Sequence, residues 1–322
     1  MKAIQVTRIG GPEVLEVRDL PVPEPGEDDI VVKLEAAGVN YVDVYHRDGR
    51  YVTKPPFTLG QEGTGIVNAA GKGVKEFEPG DRVAWTGIMG SYAEYVKVPA
   101  ARAVIVPHKI SIHQVAAAML QGMTAHYLSH DTYPLKKGDT ALIHAAAGGV
   151  GLLLVQMAHR LGARVIGTVS TEEKAALARK AGADEVIMYT RTDFEVETKR
   201  LTSNAGLQVV YDSVGKTTFE KGLDILVPRG MMILYGASSG NVAPFDLGIL
   251  SQKGSLFVTR PTLASYIATR QDLLARSKAV FDMILSGQLD LRIGQIYKLE
   301  NTAQAHRDLE ARKTTGKLLL MP

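Results

Sequence analysis

Short apolar runs separated by Gly, Pro and Asp fill the first third of the chain. Runs at 2–8, 14–20, 30–39, 64–71, 81–85, 92–98 and 103–107 are each about one strand long, and segments such as GGPE and EFEPGD between them are turns. This spacing predicts a β-rich module, a Greek-key barrel or a sandwich. Beyond Ser111 the period changes. Residues 111–131 have helical character, with Ser111 as the N-cap. From Asp139 onward, apolar runs at 140–146, 163–169, 184–189, 207–214, 230–236 and 254–259 alternate with helical patterns at 149–162, 170–182, 193–203 and 216–227. Strands alternating with helices predict a parallel, doubly wound sheet. Gly162 and Gly182 fall where helix C-termini want a positive φ. A helix at 269–288, a strand at 294–300, a helix at 302–313 and a terminal run at 316–322 follow, and the terminal strand is expected to rejoin the first module.

Composition adds limits. The chain has 322 residues, 45% hydrophobic and 22% charged, enough for about two domains with sizeable cores. The net charge is +3 and the basic residues are scattered, which suits a solvated surface and speaks against a nucleic-acid partner. There is no cysteine, which removes disulfides, a thiol nucleophile and thiolate metal sites. No apolar leader opens the sequence, so the cytoplasm is the expected location. The longest apolar stretch carries His144, Gln156 and two adjacent glycines, and reads as buried strand plus helix, with no membrane span expected.

The turn AAAGGVG, residues 145–151, follows one strand and opens a helix that leads to another. Against the dinucleotide fingerprint G-x-G-x-x-G, Ala146 holds the first position, Gly148 the second and Gly151 the third. The second glycine lets backbone approach a pyrophosphate, the third lets helix pack on strand, and the helix N-terminus offers free N–H groups. An NAD site wants a carboxylate at the end of the next strand. Residues 167–171 carry none; Ser170 and Glu173 are expected to form a capping box there instead. Lys174, one turn into that helix, is placed for a ribose 2′-phosphate, so NADPH is the expected cofactor.

The segments AAGVNYVDVYHRDGRY, PFTLGQEGTGIV, GDRVAW, GSYAEY, AAAGGVG, DSVG and TRPTL occur in an order that resembles the zinc-independent quinone oxidoreductases of the medium-chain dehydrogenase/reductase superfamily, the zeta-crystallin-like branch. The resemblance runs nearly end to end. It implies an α/β protein with a GroES-like β-rich catalytic domain from residues 1–120 and 261–322 and a Rossmann cofactor domain from 121–260. It also implies NADPH-dependent reduction of a small-molecule quinone, and a homodimer through strand 254–259. Zinc relatives carry a histidine where this chain has Gln61, and their upstream cysteine ligand is replaced near Asn40, so no metal is expected.

By the same resemblance, Asn40 and Tyr45 would lie beside the nicotinamide, with Tyr51 at the cleft mouth and Thr124 on the cofactor. Asn40, Tyr45 and Tyr51 are the catalytic candidates. Ala147, Gly148, Gly149 and Val150 would cradle the pyrophosphate. Ser170, Lys174 and Tyr189 would hold the 2′-phosphate region. Ser213, Gly236, Val258 and Arg260 would line the cofactor, and Lys317 would sit near its phosphates. Packing is the alternative role for Tyr45 and Tyr51, and Asn40 can also cap a helix beginning at Tyr41.

Other readings are open to simple objections. GASSG at 236–240 fits a nucleophile elbow, but Pro244 and its neighbours do not continue into the required helix. His126 and His130 share a helix face, but no third ligand accompanies them. An NADPH-binding sensor is compatible with the cofactor fold. An NADPH-dependent enone or enal reductase uses the same fold and hydride donor, and is the nearest alternative.

Overall fold

A computed structural model describes Met1–Pro322, which divide into two compact units: Met1–Met123 with Ile267–Pro322, and Thr124–Tyr266. The first begins with β1 (Lys2–Val6), β2 (Leu15–Asp19) and β3 (Asp29–Val39). The short helix α1 (Tyr41–Arg47) leads to β4 (Phe57–Thr58), β5 (Glu62–Ala70), β6 (Arg82–Thr86), β7 (Tyr95–Pro99) and β8 (Ala103–Ile105). Helix α2 (Ile112–Tyr127) follows, opened by a capping box. Ser111 Oγ accepts from the Gln114 N–H at 3.3 Å, and Gln114 Oε1 accepts from the Ser111 N–H at 3.1 Å. A π-helical turn, Leu128–Thr132, continues it.

The second unit alternates as its apolar pattern predicts. β9 (Thr140–Ile143), α3 (Gly149–Arg160), β10 (Arg164–Val169), α4 (Glu172–Lys180), β11 (Glu185–Met188), α5 (Phe194–Leu201) and β12 (Leu207–Asp212) come in turn. α6 (Phe219–Leu223), β13 (Leu226–Leu234), α7 (Gly248–Gln252), β14 (Phe257–Thr259) and α8 (Leu263–Tyr266) complete it. The sheet order is β11-β10-β9-β12-β13-β14, parallel throughout. Its core includes Leu142, Ile166, Val210 and Met232 from the strands and Phe219 and Leu223 from α6. Gly162 and Gly182 have φ of 81° and 109°, as their helix C-termini require. The expected helix at 216–227 is cut short, because Leu226 already belongs to β13.

The chain then returns to the first unit through α9 (Arg270–Leu285), β15 (Ile293–Lys298), α10 (Thr302–Glu310) and β16 (Lys317–Met321). β16 pairs antiparallel with β3, Leu319 opposite Gly38, so the last strand rejoins the β-rich module. One sheet runs β15-β16-β3-β5-β6-β8, with β7 also on β3; β2-β1-β4 form the other. Val32, Leu34, Trp85, Val96 and Leu320 lie in the core of this unit. Trp85 is wholly buried and donates its indole N–H to Ser91 Oγ at 2.9 Å.

Candidate functional site

In the second unit's sheet, β10 and β11 lie to one side of β9, and β12, β13 and β14 to the other. Loops leaving β9 and β12 therefore part in opposite directions, which is where open α/β sheets bind ligands. The glycine turn leaves β9 at this point. Ala145 takes a left-handed φ of 53°, so the tight bend falls one residue before the position Ala146 was expected to hold. Gly148 is the N-cap of α3, and its N–H already bonds the Ala145 carbonyl at 2.8 Å. The N–H groups of Gly149 and Val150 head the helix, where no intrahelical acceptor exists and the dipole end is positive. Ala147 is buried, and Gly148, Gly149 and Val150 are half-buried. Gly151 must be glycine, since a Cβ there would collide with the Ala145 carbonyl. Backbone N–H groups presented in this way are able to bind an anion such as a pyrophosphate.

β10 ends at Val169 with no carboxylate, and Ser170 follows. The Tyr189 N–H bonds the Val169 carbonyl at 3.1 Å, and the Thr190 hydroxyl bonds the Ser170 carbonyl at 2.9 Å, so Ser170 and the exposed Tyr189 are neighbours. The Ser170–Glu173 capping box does not form. Thr171 is the N-cap, extended at φ −139°, and its hydroxyl accepts from the Lys174 N–H at 3.3 Å. The helix starts one residue later than expected, which places half-buried Lys174 in its first turn.

Ser213 follows β12. The Asp212 carboxylate fixes this turn by accepting from the Val214 and Gly215 N–H groups at 2.6 and 3.0 Å and from the Thr218 hydroxyl at 2.8 Å. Gly236 presses against it, since a Cβ would lie 2.6 Å from the Ser213 carbonyl. Arg260, just past β14, donates to the Leu234 and Gly236 carbonyls at 2.9 and 3.4 Å. Ser213, Gly236 and Arg260 are thus brought together; Val258 lies on β14, two residues before Arg260, and Thr124, which opens the unit, is buried.

The first unit gathers aromatic side chains at α1. The Tyr45 ring meets Tyr51 edge-on at 5.3 Å between centroids and Tyr41 at 6.0 Å, and His46 meets Tyr51 at 5.4 Å. The Arg50 guanidinium covers the Tyr45 ring at 4.3 Å and is held by Asp48. Arg50 went unnoticed in the sequence, although an arginine between two tyrosines is a readable sign of ring stacking. Tyr45 is buried and Tyr51 exposed.

Asn40 is the N-cap of α1 and is 3% exposed. Its Nδ2 donates to the Gly38 carbonyl at 3.2 Å and Glu62 Oε2 at 2.9 Å; its Oδ1 accepts from Gln121 Nε2 at 3.1 Å and Lys317 Nζ at 2.8 Å. An amide has two N–H donors and two lone pairs, and all four are used. The side chain is a strut inside this unit. Lys317 is part of the same cluster. It is 2% exposed, its ammonium engaged by Glu62 and Asn40. Glu62 and Gln121 were missed.

Nearby, Asp43 Oδ2 accepts from the Asn40 N–H and the Tyr92 hydroxyl, both at 2.8 Å. Burial pushes its carboxyl up to about 7, against those hydrogen bonds. His306 faces Tyr92 and Arg47; burial, with Arg47 beside it, pushes its ring down to about 3 and keeps it neutral.

Residues 149–276 match the family described as zinc-binding dehydrogenase, and residues 26–108 the alcohol dehydrogenase GroES-like domain. The donor set does not fit zinc. No cysteine exists, Gln61 stands in the histidine position, and no three His, Asp or Glu side chains are grouped to hold a metal. A quinone oxidoreductase of Pseudomonas aeruginosa is 47% identical over 100% of this chain and 99% of its own. A 2-haloacrylate reductase of Burkholderia is 40% identical over 99% of this chain and 98% of its own. The Escherichia coli quinone oxidoreductase solved with NADPH superposes with a TM-score of 0.98, at 44% identity and full coverage of both chains.

Proposed function

The chain belongs to the quinone oxidoreductases of the medium-chain dehydrogenase/reductase superfamily, and from that membership we propose that it reduces quinones with NADPH. Quinone, NADPH and one proton give hydroquinone and NADP⁺. One observation carries the cofactor: the backbone cradle after β9 stands beside a β10 that ends without a carboxylate and an α4 whose first turn presents Lys174. A carboxylate there would repel a 2′-phosphate; a lysine attracts it.

Bound NADPH supplies the hydride. The Thr124–Tyr266 unit would hold it, through the Gly149 and Val150 N–H groups for the pyrophosphate, Ser170, Lys174 and Tyr189 for the 2′-phosphate, and Ser213, Gly236, Val258, Arg260 and Thr124 for the rest. The unit built from both chain ends receives the quinone on Tyr45 and Tyr51. Their phenols are neutral hydrogen-bond donors, with no metal to act as Lewis acid. A quinone suits such a site because it takes up charge by becoming aromatic, and a phenol or water then protonates its oxygen. The homodimer through strand 254–259 and the cytoplasmic location belong to the same reading.

The likeness to a 2-haloacrylate reductase favours a second reading, reduction of an activated alkene by the same hydride. NADPH oxidation by the purified protein with 1,4-benzoquinone, a larger quinone, an enone and, in reverse, a primary alcohol with NADP⁺ separates the two. The quinones are expected to be fastest and the alcohol negligible. A faster enone transfers the protein to the second reading; tight NADPH binding with no acceptor turned over makes it a sensor.

A further inference from the structure

The strongest unassigned feature is the buried polar cluster at the start of α1. Lys317 on β16 and Glu62 on β5 form an ion pair, 2% and 0% exposed. Glu62 Oε1 also accepts from the Leu120 N–H of α2 at 2.6 Å, and Gln121 of α2 reaches Asn40. Three elements, β5, α2 and β16, thereby converge on one amide, that of Asn40. The chain makes room for them. Gly38 on β3 lies where any Cβ would strike the Glu62 carboxylate and come within 2.6 Å of Lys317 Cε and Nζ. Its φ is not left-handed, so space alone calls for a glycine here.

Stability does not explain such a pair. Burying two charges costs several kcal/mol each in desolvation, and apolar side chains of similar volume often serve as well or better. Gln121 Oε1 is left without a partner, but the Asn40 amide has all four of its positions filled, and a filled amide is held in a single geometry. α1 has seven residues, too few to hold a helix by local forces, so its anchoring determines where it lies. Asn40 anchors its start, Asp43 on Tyr92 and Arg47 on Glu310 tie it further along, and Tyr45 lies between these two.

We propose that Glu62, Lys317 and Gln121 are positioning residues that lock the Asn40 amide, and through the start of α1 the Tyr45 ring, in the place quinone reduction requires. The inference rests on the quinone-reductase reading for its kinetic consequence, but the placement of Tyr45 can be read without turnover.

The test uses the full chain as Lys317→Met, Glu62→Gln and the double variant. Each single change strands a charge or breaks the pair in a dry interior, and melts lower than wild type. The double variant holds no buried charge at these positions and recovers most of the melting temperature. Two quantities are then read on it: kcat and KM for 1,4-benzoquinone at saturating NADPH, with the NADPH Kd; and the fluorine resonance of Tyr45 in 3-fluorotyrosine-labelled protein, assigned by its loss in Tyr45→Phe.

The expectation is a kcat at least tenfold below wild type, an NADPH Kd within twofold, and a shifted or broadened Tyr45 resonance. A double variant with wild-type kcat and an unchanged resonance overturns the proposal and leaves the pair a purely structural one. If wild type turns over no quinone, the function reading fails and the resonance alone decides this one. If the double variant does not fold, Gln121→Met, which strands no charge, is read for the same two quantities and judged by the same outcomes, with a threefold loss of kcat expected.

Discussion

Two buried titratable residues of the first unit oppose one another in pH. The unfolded chain releases the Asp43 proton near 3.8, whereas burial holds it to about 7 in the fold. The stability this neutral acid contributes is whole below 3.8 and is lost as pH rises through 7. His306 behaves in the opposite sense. The unfolded ring takes a proton below 6.5, the buried ring only near 3, so its contribution is lost as pH falls through that range. Each slope is about 1.4 kcal/mol per pH unit, and between pH 4 and 6.5 they cancel. Asp43→Asn keeps an acceptor for Tyr92 and removes one slope. Urea melts from pH 4 to 8 should show it more stable than wild type at pH 8, by up to about 4 kcal/mol, with no gain at pH 4. Parallel curves for the two proteins would contradict the assignment. At the cofactor, NADPH should bind well over tenfold tighter than NADH, since one phosphate–cation contact contributes about 1.5–3 kcal/mol. Lys174→Glu should abolish or reverse that preference, and titration calorimetry that finds equal affinities in wild type refutes it.

At the scale of elements, the turn before α3 makes a sharp prediction. Gly151→Ala drives a methyl into the Ala145 carbonyl. The shift of α3 should cost about 1–3 kcal/mol of stability and weaken NADPH more than tenfold, because the cradle is the displaced backbone itself. Thermal melts and a fluorescence titration check both, and an unchanged Kd would mean the phosphates lie elsewhere. This turn was legible because its chemistry is local: a strand, small residues, a helix. The same holds for Ser111 as the N-cap of α2 and for the glycines ending α3 and α4. Where two residues competed locally, reading faltered. Ser170 and Thr171 are both good caps, and only the extended backbone at Thr171 decides between them. The α1 cluster was illegible for a different reason. Asn40 lies 22 residues from Glu62 and 277 from Lys317 in sequence, and nothing local marks the three as partners. Two faint signs existed: an acid just ahead of the strand run, at Glu62, and a glycine with no turn to serve at Gly38.

At the scale of the whole molecule, β14 ends its sheet with one edge unpaired, and Phe257 and Val258 on it are 55% and 38% exposed. Such an edge invites pairing, and a two-fold mate would extend the sheet across the interface. Light scattering at micromolar concentration should give twice the chain mass for wild type and the single mass for Phe257→Lys; a monomeric wild type contradicts the dimer. The central claim joins this architecture to its chemistry: a dinucleotide cradle with a lysine for the 2′-phosphate, phenols in place of a metal, and a quinone as acceptor. It is tested most directly by kcat/KM for 1,4-benzoquinone with NADPH, measured on metal-analysed protein before and after dialysis against a chelator. The account predicts robust turnover, substoichiometric zinc and the same value after dialysis. Stoichiometric zinc, with turnover lost to the chelator and restored by the metal, would contradict it.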